Sequence, residues 1–201
     1  MLPAVILAAG ASTRMGSPKA LLPAPDGRPF AARIVRSLLS AGLQRIVIVT
    51  GTAHDAIVRS IDEDGVPRRP EFARNPDPAR GQLSSLWVGM DAAVDDRAEA
   101  MLVMLVDVPM VQVSTIAMVI DAWRRTRAPI VRPAIGDRHG HPVIFDRAVF
   151  AELRAAPVNG GAKVVVRAHE ARLVNVPVED EGCLVDVDTR EEYEELRKTG
   201  R

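Results

Sequence analysis

The chain has 201 residues, 47% of them apolar and 26% charged, with 26 cationic and 26 anionic side chains. That length suits one domain over residues 1–201 with a real core, and a formal charge of +0 leaves no overall field to hold nucleic acid or an anionic membrane. The single cysteine, Cys183, excludes an internal disulfide and a multi-cysteine zinc cluster and suits a reducing cytoplasm. No apolar run reaches the roughly 18 residues of a membrane span.

"AVILA" (4–8) opens the chain as a buried strand. The first residues faintly resemble a signal peptide, but no basic residue precedes the apolar stretch. Apolar residues at helical spacing then predict a helix over 29–39, with Gly42 as its stop. "RIVIVT" (45–50) is the second strand, and 53–61 a short helix. The Pro- and Arg-rich segment 65–81 carries a short strand around Phe72, and a helix follows over 82–94. "MLVMLV" (101–106) is continuously apolar, as in a strand covered on both faces. A helix runs from Ser114, as N-cap, to about Arg127. "PIVRP" (129–133) and "PVIF" (142–145) are later strands, with Asp146 capping a helix through Leu153. "GGAKVVVRAHE" (160–170) is read as a helix and "ARLVNVPV" (171–178) as a strand. The final helix opens on a Thr189–Glu192 capping box and stops at Gly200. Strands alternating with helices predict a three-layer α/β sandwich with a mostly parallel sheet, whose ligands bind beyond the carboxyl ends of the strands.

Three places converge on that edge. "LAAGASTRMGSPKALLP" (7–23) follows the first strand with Gly10, Gly16, two cations, Arg14 and Lys19, and no acid. Loop amides, a guanidinium fork and a mobile ammonium suit phosphate oxygens. Neither a Walker A loop nor Gly-x-Gly-x-x-Gly is present there, which disfavours a dinucleotide-dependent oxidoreductase. Asp107 ends the most apolar strand, where a carboxylate is costly unless paired or metal-bound. Asp186 and Asp188 share a face if "LVDVD" is extended, and Asp188 adjoins the last helix. Each feature alone has an ordinary explanation: a solvated loop, an acid turning the chain before Pro109, an acid favoured by a helix start. Together they supply what metal-assisted chemistry on a nucleoside triphosphate needs.

The first stretch resembles the Leu-x-x-Gly-x-Ser-x-Arg-Met-Gly-x-x-Lys signature of MobA-like nucleotidyltransferases, and most closely their molybdenum cofactor cytidylyltransferase-like branch. "NPDPARGQLSSL", "LVDVPMV", "GDRHGHPVIF" and "VDVDTREEYEEL" continue the resemblance in the family's order. It implies a Rossmann-like, glycosyltransferase-A-type fold and transfer of a nucleotidyl group with release of pyrophosphate. Leu7, Ala8, Ala9 and Gly10 would line the nucleotide, and Arg14 and Lys19 would grip its triphosphate. Asn75, Gly81, Ser84 and Ser85 would lie near base and ribose. Asp107 would bind magnesium with Asp188 as its partner, so Arg14, Lys19 and Asp107 carry catalysis. His139, Gly140 and His141 would border the acceptor, although both histidines also read as polar turn residues. The implied partners are a nucleoside triphosphate, a phosphorylated acceptor such as molybdopterin and, beyond it, a molybdenum enzyme. Ala9 places a methyl beside the base, which favours CTP over a purine by only about 1–3 kcal/mol. The chain departs from the branch in Asp107-Val108-Pro109, where Asp-Gln-Pro is usual, and in Gly81-Gln82-Leu83-Ser84-Ser85, where Gly-Met-Ser-Ser-Ser is usual. Those changes bear on the acceptor, leaving open another acceptor, such as a sugar phosphate or phospholactate, a GTP donor, or a non-catalytic nucleotide-binding maturation factor.

Overall fold

All five residues of the first strand, β1 (Ala4–Ala8), are buried, as a small and branched apolar run without charge requires. The computed structural model describes residues 1–10 and 16–199. Arg14 and the expected stop at Gly200 lie outside the described residues. After β1 come α1 (Phe30–Ser40), β2 (Ile46–Thr50), α2 (His54–Asp64), β3 (Glu71–Arg74) and α3 (Gln82–Ala93). Then follow β4 (Ala100–Leu105), α4 (Val113–Thr126), β5 (Ile130–Ile135), the two-residue β6 (Arg138–His139) and β7 (Val143–Asp146). The chain closes with α5 (Phe150–Ala155), α6 (Lys163–Ala168), β8 (Val174–Pro177) and α7 (Arg190–Thr199).

One sheet runs in the order β3-β2-β1-β4-β7-β5-β6, with β8 also paired to β5. The pairs β1–β2, β1–β4, β2–β3 and β5–β8 are parallel. The pairs β4–β7, β5–β7 and β5–β6 are antiparallel. The mostly parallel sheet predicted from the sequence is therefore joined by an antiparallel flank, which begins where β4 meets β7.

Strand alternation divides the core into two layers. Ala4, Ile6, Ile48, Leu102 and Met104 face the cluster containing Phe30, Ile57 and Ile116. Val5, Leu7, Val49, Val103 and Phe145 face the cluster containing Leu83, Leu86, Leu153 and Val165. The second layer lines the second of the two cavities described below, and both layers reach the first.

Two local expectations have distinct outcomes. Thr189 and Glu192 form the capping box: Glu192 N–H donates to Thr189 Oγ1 (3.2 Å) and Thr189 N–H to the Glu192 carboxylate (2.8 Å). Ser114, by contrast, is not the N-cap of α4; Gln112 holds that position, with no side-chain cap bond of its own. Asp180, buried and distant in sequence, instead accepts from Gln112 N–H and Thr115 Oγ1–H, each at 2.8 Å. A tertiary acid thus satisfies donors at the helix start, so no local serine is needed there. Among the described residues no helix is long and apolar enough to cross a membrane.

Candidate active site

The carboxyl ends of β1 and β4 lie side by side, because Leu7 pairs with Leu105 and Val106 N–H donates to the Leu7 carbonyl. Asp107 follows immediately. Its own carbonyl accepts from Val187 N–H (2.8 Å), which ties the segment before α7 to the end of β4 and places Asp188 beside it. Lys19, at the start of a short 3-10 turn, reaches in from the other side. Its Nζ lies 3.2 Å from Asp107 Oδ2 and 2.5 Å from Asp188 Oδ1. The Lys19 side chain is only 12% exposed, so this ammonium between two carboxylates is largely removed from water. Asp186 is exposed and takes no part in the bridge.

The other oxygen of Asp107, Oδ1, is buried with no hydrogen-bond partner. A buried, unsatisfied carboxylate oxygen is costly, and a cation or a water would satisfy it. Among the described residues no group of three His, Cys, Asp or Glu could form a protein cage for a metal. Two carboxylates with one free oxygen therefore suit a hard divalent cation that takes its remaining ligands from phosphate and water.

A cleft of about 240 Å³ opens above this bridge. Leu7, Ala8, Ala9 and Gly10 line one wall, Gly81 and Ser85 the opposite one, and Lys19, Asp107 and Asp188 its charged end. Gly81 has a φ of 102°, a backbone that side chains rarely adopt, and it turns the chain into α3. Asn75 and Ser84 do not line the cleft. Asn75 is buried, and its Nδ2 donates to both Ser84 Oγ and Ser85 Oγ at 2.9 Å. Its Oδ1 accepts from Asp77 N–H at 3.0 Å. The side chain is a clamp that fixes the α3 start, and Ser85 is the clamped residue that reaches the cleft wall.

A second cavity of about 460 Å³ adjoins the first and shares Leu7, Gln82 and Leu105 with it. His139, Gly140 and His141 line it, so the structure brings those three predicted residues together. Gly140 is dictated by packing: a Cβ there would lie 2.1 Å from the Cys183 carbonyl oxygen. Burial pushes the His141 imidazole pKa down, against opposing effects from the Val103 carbonyl and from Asp107 and Asp186. His141 Nδ1 is buried without a partner. Burial, reinforced by Arg132, also lowers the pKa of His139. Both rings therefore favour the neutral form, which retains a nitrogen acceptor.

Sequence reading missed the cations of this cavity, Arg132, Lys163 and Arg167. Signals for them exist: Arg132 interrupts an apolar strand, and Lys163 and Arg167 are spaced i, i+4 on one helix.

Comparison with known proteins bears on this geometry. The family model of the MobA-like NTP transferase domain matches residues 4–173. The nicotine blue oxidoreductase of Paenarthrobacter nicotinovorans is 32% identical over 96% of this chain and 94% of its own. A probable molybdenum cofactor guanylyltransferase of Rhodopirellula baltica is 31% identical over 63% of this chain and 58% of its own. Among solved structures, Rv0371c of Mycobacterium tuberculosis is 29% identical, covers 98% of each chain and superposes with a TM-score of 0.80. A structure of that protein complexed with manganese superposes at 0.78, with 28% identity and 98% of each chain covered.

Proposed function

The chain belongs to the MobA-like NTP transferase family and is a nucleotidyltransferase, and on that premise we propose that it transfers CMP from CTP to a phosphorylated acceptor of the molybdopterin class. The observation that carries the reading is Lys19 bridging Asp107 and Asp188 at the floor of a cleft that opens directly onto a second cavity. The nucleotide occupies the first cleft along Leu7–Gly10, and the acceptor occupies the second. The wall of Leu7, Gln82 and Leu105 common to both is where the reacting groups meet. Ala9, with its methyl group beside the base, supports CTP over GTP. The guanylyltransferase relative supports a molybdopterin acceptor, with a molybdenum enzyme as the eventual recipient.

An acceptor phosphate oxygen attacks the α-phosphorus, the bond to the β-phosphate oxygen breaks, and pyrophosphate leaves with the electron pair. A phosphate is already a nucleophile, so the protein has to supply position and charge rather than a covalent intermediate. Lys19 neutralises charge on the α-phosphate and the departing pyrophosphate, and Arg14 adds a second cation to the grip. The Gly81 turn and the clamped Ser85 hold the cleft wall opposite β1. Asp107 and Asp188 would hold magnesium, which would supply Lewis-acid stabilisation of phosphate charge; the manganese complex of the mycobacterial relative supports a divalent ion. The name of the Paenarthrobacter relative points to redox chemistry, but the first loop lacks the Gly-x-Gly-x-x-Gly turn of dinucleotide enzymes.

The test is pyrophosphate release from CTP, GTP, ATP or UTP with magnesium, each with and without molybdopterin. Release with CTP that depends on molybdopterin is expected, and it should fall about 100-fold or more in Asp107→Asn. Release with GTP alone overturns the donor assignment. Activity retained in Asp107→Asn overturns the metal site.

A further inference from the structure

The second cavity has a charge layout that a simple phosphorylated acceptor does not explain. Its floor consists of alternate residues on neighbouring strands, all on one face: Leu7 of β1, Val103 and Leu105 of β4, Val143 and Phe145 of β7. Arg132 continues the same face on β5, where the residue two before it, Ile130, is core. The registers align Val103 with Val143, and continuing the β5–β7 register places Arg132 opposite Val143. Arg132 thus stands at the far end of an apolar row. The chemistry takes place at the β1–β4 end. Neighbouring strands are about 4.8 Å apart, so β5 lies two spacings from β4 and three from β1, roughly 10 and 14 Å.

Two more cations line the same cavity. Lys163 and Arg167 lie one helical turn apart on α6, which borders the cavity. None of the three is ion-paired among the described residues. Arg132 donates from Nε to Asn175 Oδ1 (2.9 Å), which orients the guanidinium and leaves its terminal nitrogens for a ligand. Burial disfavours its charged form, with Glu170 the opposing charge. Glu170 acts on it only at longer range, and a half-buried guanidinium with no carboxylate in direct contact is stabilised by binding an anion. The helix itself is anchored beyond its C-terminal end, where His169 Nε2 meets the Glu152 carboxylate (2.8 Å) and Nδ1 meets Arg172 (2.8 Å).

One phosphate cannot be both at the β1–β4 edge and beside Arg132. We infer that the acceptor is a two-headed anion: its phosphate reacts at the nucleotide end, an apolar or planar body crosses the Val103–Val143 floor, and a second anionic group is held by Arg132, Lys163 and Arg167. This inference rests on the proposed reading that the second cavity holds the acceptor.

A matched pair of probes tests it: 4′-carboxybiphenyl-4-yl phosphate and its 4′-methyl counterpart, titrated by calorimetry into the wild-type protein. The carboxylate probe should bind roughly tenfold or more tightly than the methyl probe. Arg132→Gln should abolish that preference while leaving the methyl probe unchanged. Arg167→Gln, on an exposed position of α6, should weaken the preference without a folding cost. Equal affinity for the two probes, no binding of either, or a preference that survives both substitutions overturns the inference. CTP-induced thermal stabilisation in the same samples separates the two readings. Binding of neither probe in protein that CTP still stabilises defeats the reading that the second cavity holds the acceptor, whereas equal binding of both probes defeats only the second anion site.

Discussion

Asn75→Ala separates a residue that builds the site from one that touches the nucleotide. The amide makes three hydrogen bonds, to Ser84, Ser85 and Asp77, all at 2.9–3.0 Å in a buried setting. At about 1 kcal/mol net for each, the substitution removes about 3 kcal/mol. Ser84 keeps its bond to the Gly81 carbonyl (2.7 Å), but Ser85 Oγ and Asp77 N–H lose their side-chain partner. For a chain of this size 1 kcal/mol corresponds to about 2–4 °C, so the midpoint of thermal unfolding should fall by roughly 6–12 °C. The KM for CTP should rise, because Gly81 and Ser85 line the cleft. Calorimetric melting alone, and with saturating CTP and magnesium, gives the answer. A shift under about 2 °C with CTP binding lost would place the Asn75 side chain on the ligand and refute the clamp.

Three further substitutions test the site and the fold around it. Lys19→Met should cut turnover by about 100-fold or more, while Asp186→Ala, exposed and outside the bridge, should stay within about twofold; equal losses in steady-state assays would mean the phosphate grip is misplaced. Asp64 joins α1 to α2: burial opposes its charge, but hydrogen bonds and charges from Arg36 and Arg28 prevail and hold its carboxyl below the usual range. Its contribution is therefore present above the unfolded carboxyl pKa and lost as pH falls through the lower folded value. Asp64→Asn should cost roughly 2 kcal/mol at pH 7 by urea unfolding, with the gap to wild type closing in acid; a gap constant with pH contradicts the ion-pair account.

What the sequence made legible follows from local chemistry. β1 and β4 are uninterrupted apolar runs, so their burial and central place could be read directly, and the acid after β4 then stood out. That Lys19, Asp107 and Asp188 belong to one edge could be read from the strand-end rule, but their direct bridge could not. A bridge spanning 169 positions leaves no periodicity behind, and Arg14 lies outside the described residues. The antiparallel flank was harder still. β6 has two residues, and direction in the sheet is set by turns such as Gly136-Asp137 rather than by hydrophobic pattern. Ser114 misled because its composition suits a cap, whereas the partner that serves the helix start, Asp180, comes from another part of the chain. Asn75 was expected beside the base and ribose, whereas the structure shows it clamping Ser84, Ser85 and Asp77, partners defined only once β3 and α3 pack together.

The reversal of strand direction between β4 and β7 has an evolutionary consequence. On the proposed reading, Lys19 and Asp107, which act on the triphosphate, lie at the parallel side, together with the returning Asp188 segment. The floor starts on the parallel side at Leu7, Val103 and Leu105 and runs onto the antiparallel side at Val143, Phe145 and Arg132, with Lys163 and Arg167 lining the same cavity from α6. Substitutions in β5, β7 and α6 can therefore alter the acceptor without touching Lys19, Asp107 or Asp188. The shared wall at Leu7, Gln82 and Leu105 is where such a change would be felt by both substrates, so drift there should be slower than on either side of it.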